Sequence, residues 1–178
     1  MEASFTDKHY ELVVACKQGD RQSQFKLYNL YAKAMYNTAL RIVQDAAEAA
    51  DVLQEAFIDA FSRLDSFRQE STFGLWMKQI VVNKSISTLR KRKLELQLLG
   101  DGEEPANEED IENDIELQVN TIKQAINKLP DGYRLVLTLY LLEGYDHEEI
   151  AHILRISEAT SRSQYLRGKR KLLSYLAN

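Results

Sequence analysis

The sequence predicts an all-α chain: two small helical domains joined by a flexible acidic linker, the C-terminal one a helix-turn-helix. Three observations carry that prediction. Apolar residues recur at threes and fours through most of the chain, and no alternating strand pattern survives anywhere. Between Leu94 and Glu116 ten acids meet no Lys or Arg, and Gly100, Gly102 and Pro105 lie among them, a composition that resists collapse. Residues 146–176 then read as cap, helix, tight turn, second cap and second helix. The expected domains are therefore 1–94 and 115–178, with a tether over 95–114.

A chain of 178 residues can hold one good-sized core or two small ones. Its net charge of −4 is misleading until it is located. Outside the acidic strip 17 acids face 23 bases, which leaves +6, so the sign asymmetry matters more than the sum. The single Cys16 cannot form an internal disulfide and no cationic, apolar leader opens the chain, so a reducing, cytoplasmic setting is expected. The longest apolar run, 135–142, is interrupted by Thr138 and Tyr140 and falls far short of the roughly 20 residues of a spanning helix, so no membrane insertion is expected.

The first helix is expected over 11–17, ended at Gly19, with Leu12, Val13 and Cys16 inward. Asp20 caps a long second helix whose apolar residues, from Phe25, Leu27, Tyr28 and Leu30 to Leu40 and Val43, make a wide buried face. A third helix is expected over 46–65, with Val52, Leu53, Ala56, Phe57, Ala60, Phe61 and Leu64 inside. Asp51, Gln54, Glu55 and Asp59 lie on its other side, an acidic face that is ordinarily just solvated and is otherwise a docking surface for a protein.

Residues 67–93 form the next informative stretch. Ser71 or Thr72 caps a helix that turns Phe73, Trp76, Met77, Ile80, Val81, Ile86 and Leu89 inward. Lys84, Arg90, Lys91, Arg92 and Lys93 carry five positive charges with no acid between them, which suits a phosphate backbone. Arg68, Gln69, Ser71, Thr72 and Asn83 supply hydrogen-bonding groups for an unstacked base beside that track. A core role for Phe73 and Trp76, and the attraction of cations to a helix C-terminus, explain part of the pattern without any DNA.

Beyond the strip, Ile122, Ala125, Ile126 and Leu129 continue an apolar stripe, Pro130 opens a helix ending at Gly144, and Asp146 with Glu149 forms a capping box. Ser157 caps the last helix. At about 100° per residue, Ser161, Tyr165, Gly168, Leu172 and Leu176 line its inner side. Ser163, Arg167 and Arg170 point away, flanked by Arg162, Leu166 and Lys171, a surface fit for a major groove. On spacing alone, a solvated basic helix explains that face equally well.

Two tempting motifs carry no chemistry. His147 and His152 are five residues apart, which turns the imidazoles some 140° from each other, so they cannot share a metal as an i, i+4 pair would. Neither a nucleophile, a metal set nor a glycine-rich phosphate loop is found, so no catalysis, metal or cofactor is expected.

The order of the pieces resembles the bacterial RNA polymerase sigma factors of the extracytoplasmic-function group, in the sigma-70 family. DVLQEAFIDAF from Asp51 is similar to the segment by which that family grips the polymerase clamp, residues 67–93 to its minus-ten segment, and residues 129–173 to its minus-thirty-five domain. The resemblance implies a factor that binds core RNA polymerase, at its beta-prime clamp and beta flap, and directs promoter-specific initiation on promoter DNA. It also implies an anti-sigma partner. Carried over by position, Asp51, Gln54, Glu55 and Asp59 would meet the polymerase. Asn83 and the loop with Arg68, Ser71 and Thr72 would bind a flipped base, while Lys84, Arg90 and Arg92 would hold phosphates. Arg162, Ser163, Leu166 and Arg167, with Thr160, Gln164, Arg170 and Lys171, would serve the minus-thirty-five element. The family commonly reads G-T-V-[KR]-S-R-L where this chain has Ala159, Thr160, Ser161, Arg162, Ser163, Gln164 and Tyr165, so its minus-thirty-five preference is expected to differ. A stand-alone helix-turn-helix regulator with a helical dimerisation or sensor domain, and a helical adaptor with basic ends, are the alternatives.

Overall fold

The computed structural model describes residues 7–99 and 114–177, which are helical with no strand among them. They fall into two compact units that divide between Arg92 and Lys93. No helix among the described residues is long and apolar enough to cross a membrane.

The first unit is built from α1 (Tyr10–Lys17), α2 (Arg21–Val43), α3 (Ala46–Ser62), a 3-10 turn (Leu64–Ser66) and the larger part of α4 (Phe73–Leu99). Asp20 caps α2 by accepting from the amides of Gln22 and Ser23, and its carboxyl is held below the usual range, chiefly by the Ser23 hydroxyl. Asp45 caps α3 through Glu48 N at 2.8 Å. Each such cap is worth about 1 kcal/mol. The third helix stops at Ser62, short of the expected 65, and Leu64 reaches the core from the 3-10 turn instead. Val13, Leu27, Ala39, Val43, Ala56, Phe73, Met77 and Val81 form the centre of the core.

The wide apolar face expected for α2 is only partly buried. Phe25 is 67% exposed and Leu30 50% exposed, while Leu27, Met35 and Ala39 are inside. Tyr28, between Phe25 and Leu30 in sequence, packs on Phe57 of α3 at 4.8 Å.

Helix α4 continues to Leu99, into the stretch where a tether is expected from residue 95. Leu94, Glu95, Leu96, Gln97, Leu98 and Leu99 are all strong helix formers, and no glycine interrupts them. Residues 100–113, the rest of the acidic strip apart from Asp114, lie outside the described residues.

The second unit holds α5 (Asp114–Asn127), α6 (Asp131–Leu137), a π-helical segment (Thr138–Leu142), α7 (His147–Leu154) and α8 (Glu158–Leu176). Ala125, Ile126, Leu129, Leu137 and Leu172 are its buried apolar centre, and Val136 and Leu139 are also inside. The π segment, with Glu143 N bonded to Thr138 O, was not foreseen. Nor was Arg134, which is 1% exposed and donates to Asp131 Oδ1 at 3.1 Å.

Candidate nucleic-acid interfaces

In the first unit, Asp51, Gln54 and Glu55 stand exposed on α3, followed one turn later by Ile58, itself 62% exposed. Asp59 belongs to a different arrangement. Lys84 Nζ lies 2.8 Å from Asp59 Oδ2 and 3.7 Å from Glu55 Oε2. The ammonium holds the Asp59 carboxyl below its ordinary value, mainly by the hydrogen bond. Lys84 therefore joins α4 to α3.

Arg92 bridges in the same way, to α3 and to the end of α2. Its Nη1 donates to Glu48 Oε2 at 2.7 Å and to Val43 O at 3.2 Å. Both cations meet acids of α3. Arg90, Lys91 and Lys93 remain exposed.

The polar side of α4 is a stripe. Leu75, Gln79, Asn83, Ser87 and Arg90 recur at threes and fours and are all exposed. Gln79 and Ser87 were missed from sequence, although stepping four residues either way from Asn83 finds them. At the head of the stripe lies the loop 68–72. Thr72 Oγ1 accepts from Leu75 N at 3.3 Å, so Thr72 is the residue that caps α4. Arg68, Gln69 and Glu70 are exposed, with Gln69 in the left-handed region at φ 59°. Trp76 is no part of this surface, because its ring packs on Phe67 at 5.2 Å and Phe73 at 5.8 Å.

In the second unit the expected caps are present. Asp146 and Glu149 form the capping box of α7, Arg155 turns the chain at φ 55°, and Ser157 accepts from Thr160 N. Thr160 is exposed, with its Oγ1 2.8 Å from Ser157 Oγ. Ser161, Gly168 and Leu172 face inward and Tyr165 is half-buried, but Leu176 is 38% exposed, a correction at the end of the stripe. Arg162, Leu166, Arg167, Arg170 and Lys171 are exposed and Ser163 half-buried. Arg162 pairs with Glu158 one turn back.

Gln164 leaves this face. It lies only about 60° from the Ser161 direction, so its amide turns toward α6, where a Cβ on Gly132 would stand 3.5 Å from Oε1. That Oε1 is buried and accepts no hydrogen bond.

One cluster went unread in the sequence. His147 Nδ1 lies 2.9 Å from the buried Ser161 Oγ, the imidazole stacks on Tyr140 at 4.7 Å, and Tyr140 meets Tyr165 at 4.7 Å. It ties the start of α7 to α8 and the π segment, so two departures from the family pattern, Ser161 and Tyr165, are internal.

The Sigma-70 region 2 family matches residues 27–95 and the Sigma-70 region 4 family matches residues 120–172. The chain is 32% identical to the ECF RNA polymerase sigma factor SigW of Bacillus subtilis, over 90% of this chain and 92% of that one. It is 31% identical to the ECF RNA polymerase sigma-E factor of Escherichia coli K12, over 95% and 93%. Among solved structures it is similar to the sigma factor RpoE of Bartonella quintana in complex with the anti-sigma factor NepR, with a TM-score of 0.63, 25% identity and coverage of 85% and 95%. CnrH, solved with the cytosolic domain of CnrY, shares the fold at a TM-score of 0.59 and 22% identity, over 96% and 98%. With both regions in order and about a third of its residues shared over nine-tenths of SigW, the chain belongs to the ECF RNA polymerase sigma factors, which bind core polymerase and direct it to promoters.

Proposed function

We propose that the two units divide the promoter between them. The first meets core polymerase through Asp51, Gln54 and Glu55, and reads the minus-ten element as melted strand through the loop 68–72 and the α4 stripe around Asn83, with Arg90 at phosphates. The second sets α8 in the major groove of the minus-thirty-five element. There Arg162, Ser163, Leu166 and Arg167 face base edges, while Thr160, Arg170 and Lys171 face the backbone. In this reading Lys84, Arg92 and Asp59 brace α4 against α3, and the Gln164 amide turns toward α6.

The work is binding. Unstacking a base costs a few kcal/mol, which contacts to the extruded base and neutralised phosphates offset, so no bond is made or broken by these side chains. The cytoplasm, where polymerase and promoter meet, is the proposed location. An anti-sigma partner is proposed as well, because RpoE of Bartonella quintana was solved with one.

The observation that carries this reading is the pair of polar, cation-bearing faces, one in each unit, each on a capped helix with an apolar back. Membership of the ECF group speaks against a stand-alone regulator. Arg167→Ala is the test. A base-edge contact is worth about 1–3 kcal/mol, so holoenzyme affinity for the native minus-thirty-five element should fall roughly tenfold or more, and preference should relax at a single position. An equal loss on every sequence would assign Arg167 to phosphate, and no loss would remove α8 from the groove.

A further inference from the structure

Helix α1 has been given no role, and it lies wholly before residue 27, where the match to Sigma-70 region 2 begins. Yet the chain at each end of α1 reaches across the unit to an end of the loop 68–72. Lys17 Nζ donates to Phe67 O at 3.1 Å, just before the loop. The Phe73 amide donates to Asp7 Oδ2 at 2.6 Å, just after it.

The Asp7 tether is itself anchored. Asp7 Oδ1 accepts from His9 N at 2.9 Å, and His9 Nδ1 lies 2.8 Å from the Tyr31 hydroxyl of α2. The Tyr31 ring packs on Phe73 at 5.2 Å, and a Cβ on Gly74 would stand 2.9 Å from its Cε1, so only glycine lets the ring approach there. Between its ends α1 buries Val13 and Cys16 in the core. The loop is thus fixed at Phe67 and Phe73, while Arg68, Gln69 and Glu70 between them are exposed.

We propose that α1 is a clamp for the minus-ten loop, with Asp7 and Lys17 as positioning residues that set how sharply melted bases are told apart. The proposal rests on the reading that this loop and Asn83 receive the minus-ten strand. A loop held at both ends loses little freedom when a base enters, so a wrong base cannot be accommodated by rearrangement. A loop released at one end gains that tolerance.

The test uses holoenzyme assembled from the full chain and core polymerase, and compares Asp7→Ala, Lys17→Met and Asp7→Asn. Transcription is measured on a native promoter and on promoters with single changes in each element. Asp7→Ala and Lys17→Met should each lower discrimination at the minus-ten element about fivefold, the effect of one lost hydrogen bond. Discrimination at the minus-thirty-five element and affinity for core polymerase should stay as in the wild type. Asp7→Asn keeps an acceptor for the Phe73 amide and should recover most of the loss. Lys17→Met retains the exposed stem, so it separates the clamp from any folding defect of Asp7→Ala. Unchanged minus-ten discrimination in both variants, with Asn83→Ala defective, overturns the clamp alone. If Asn83→Ala and Arg68→Ala also discriminate normally, the reading beneath it falls too. Equal losses at both elements, or an Asp7→Asn no better than Asp7→Ala, would make these contacts merely structural and also overturn it.

Discussion

Replacing Asn83 by Ala should slow promoter opening by one to two orders of magnitude while leaving the initial, closed complex within about twofold of the wild type. Asn83 is exposed at the middle of the α4 stripe, and its neighbours Lys84 and Ser85 are committed elsewhere, Lys84 to Asp59 and Ser85 to the carbonyl of Val81. An amide offers two donors and an acceptor to a base edge, and a good bidentate pair is worth about 1–3 kcal/mol. That energy is gained only after the base has left the stack, so its loss falls on opening; tenfold per 1.4 kcal/mol gives roughly 10- to 100-fold. Stopped-flow measurement of a fluorescent base in the minus-ten element separates the two steps. Equal losses in both would assign Asn83 to duplex binding and remove the flipped-base role.

Gly168→Val should cost the second unit about 1–2 kcal/mol. Its α8 backbone runs so near α6 that a Cβ would stand 3.0 Å from Tyr133 Cβ and 3.2 Å from Leu137 Cδ1. Valine gains roughly 0.5 kcal/mol of helix propensity, but overpacking a closed contact costs about 1–3 kcal/mol or more, so the loss wins. With Ala the gain is nearly 1 kcal/mol and the added atom single, so Gly168→Ala should lie near neutral. For a domain of this size each kcal/mol moves the melting temperature by about 4–8 °C, so calorimetry should find one of the Val variant's transitions lowered by about 4 °C or more. The chain's one tryptophan, Trp76, reports the first unit, and its fluorescence should melt as in the wild type. A Val variant as stable as the wild type would show that α6 and α8 part easily, and that the recognition helix is not held where it is drawn.

What could be read in advance was local. Asp20, Asp146 and Ser157 announce their helices because a cap bonds to amides two or three residues away, a geometry that needs no knowledge of the fold. The direction of Arg162 and Arg167 followed from rotation about a single helix. What could not be read was long-range. Lys84 and Arg92 looked free because the acids that engage them, Asp59 and Glu48, stand 25 and 44 residues earlier on another helix. The burial of Arg134 depends on packing that periodicity does not report. Gln164 was grouped with the groove-facing residues by its place in a motif, although rotation alone puts it nearer the inner side. The clamp could not have been foreseen, since Asp7 and Lys17 are unremarkable until Phe73 and Phe67 arrive beside them.

Site-specific photocrosslinking from positions 83 and 167, with and without core RNA polymerase, tests the central claim most directly. In the open complex, position 83 should mark the non-template strand of the minus-ten element and position 167 the minus-thirty-five duplex on the same promoter, and both adducts should vanish without polymerase. Adducts from both positions on one unmelted duplex, formed by the protein alone, would contradict it.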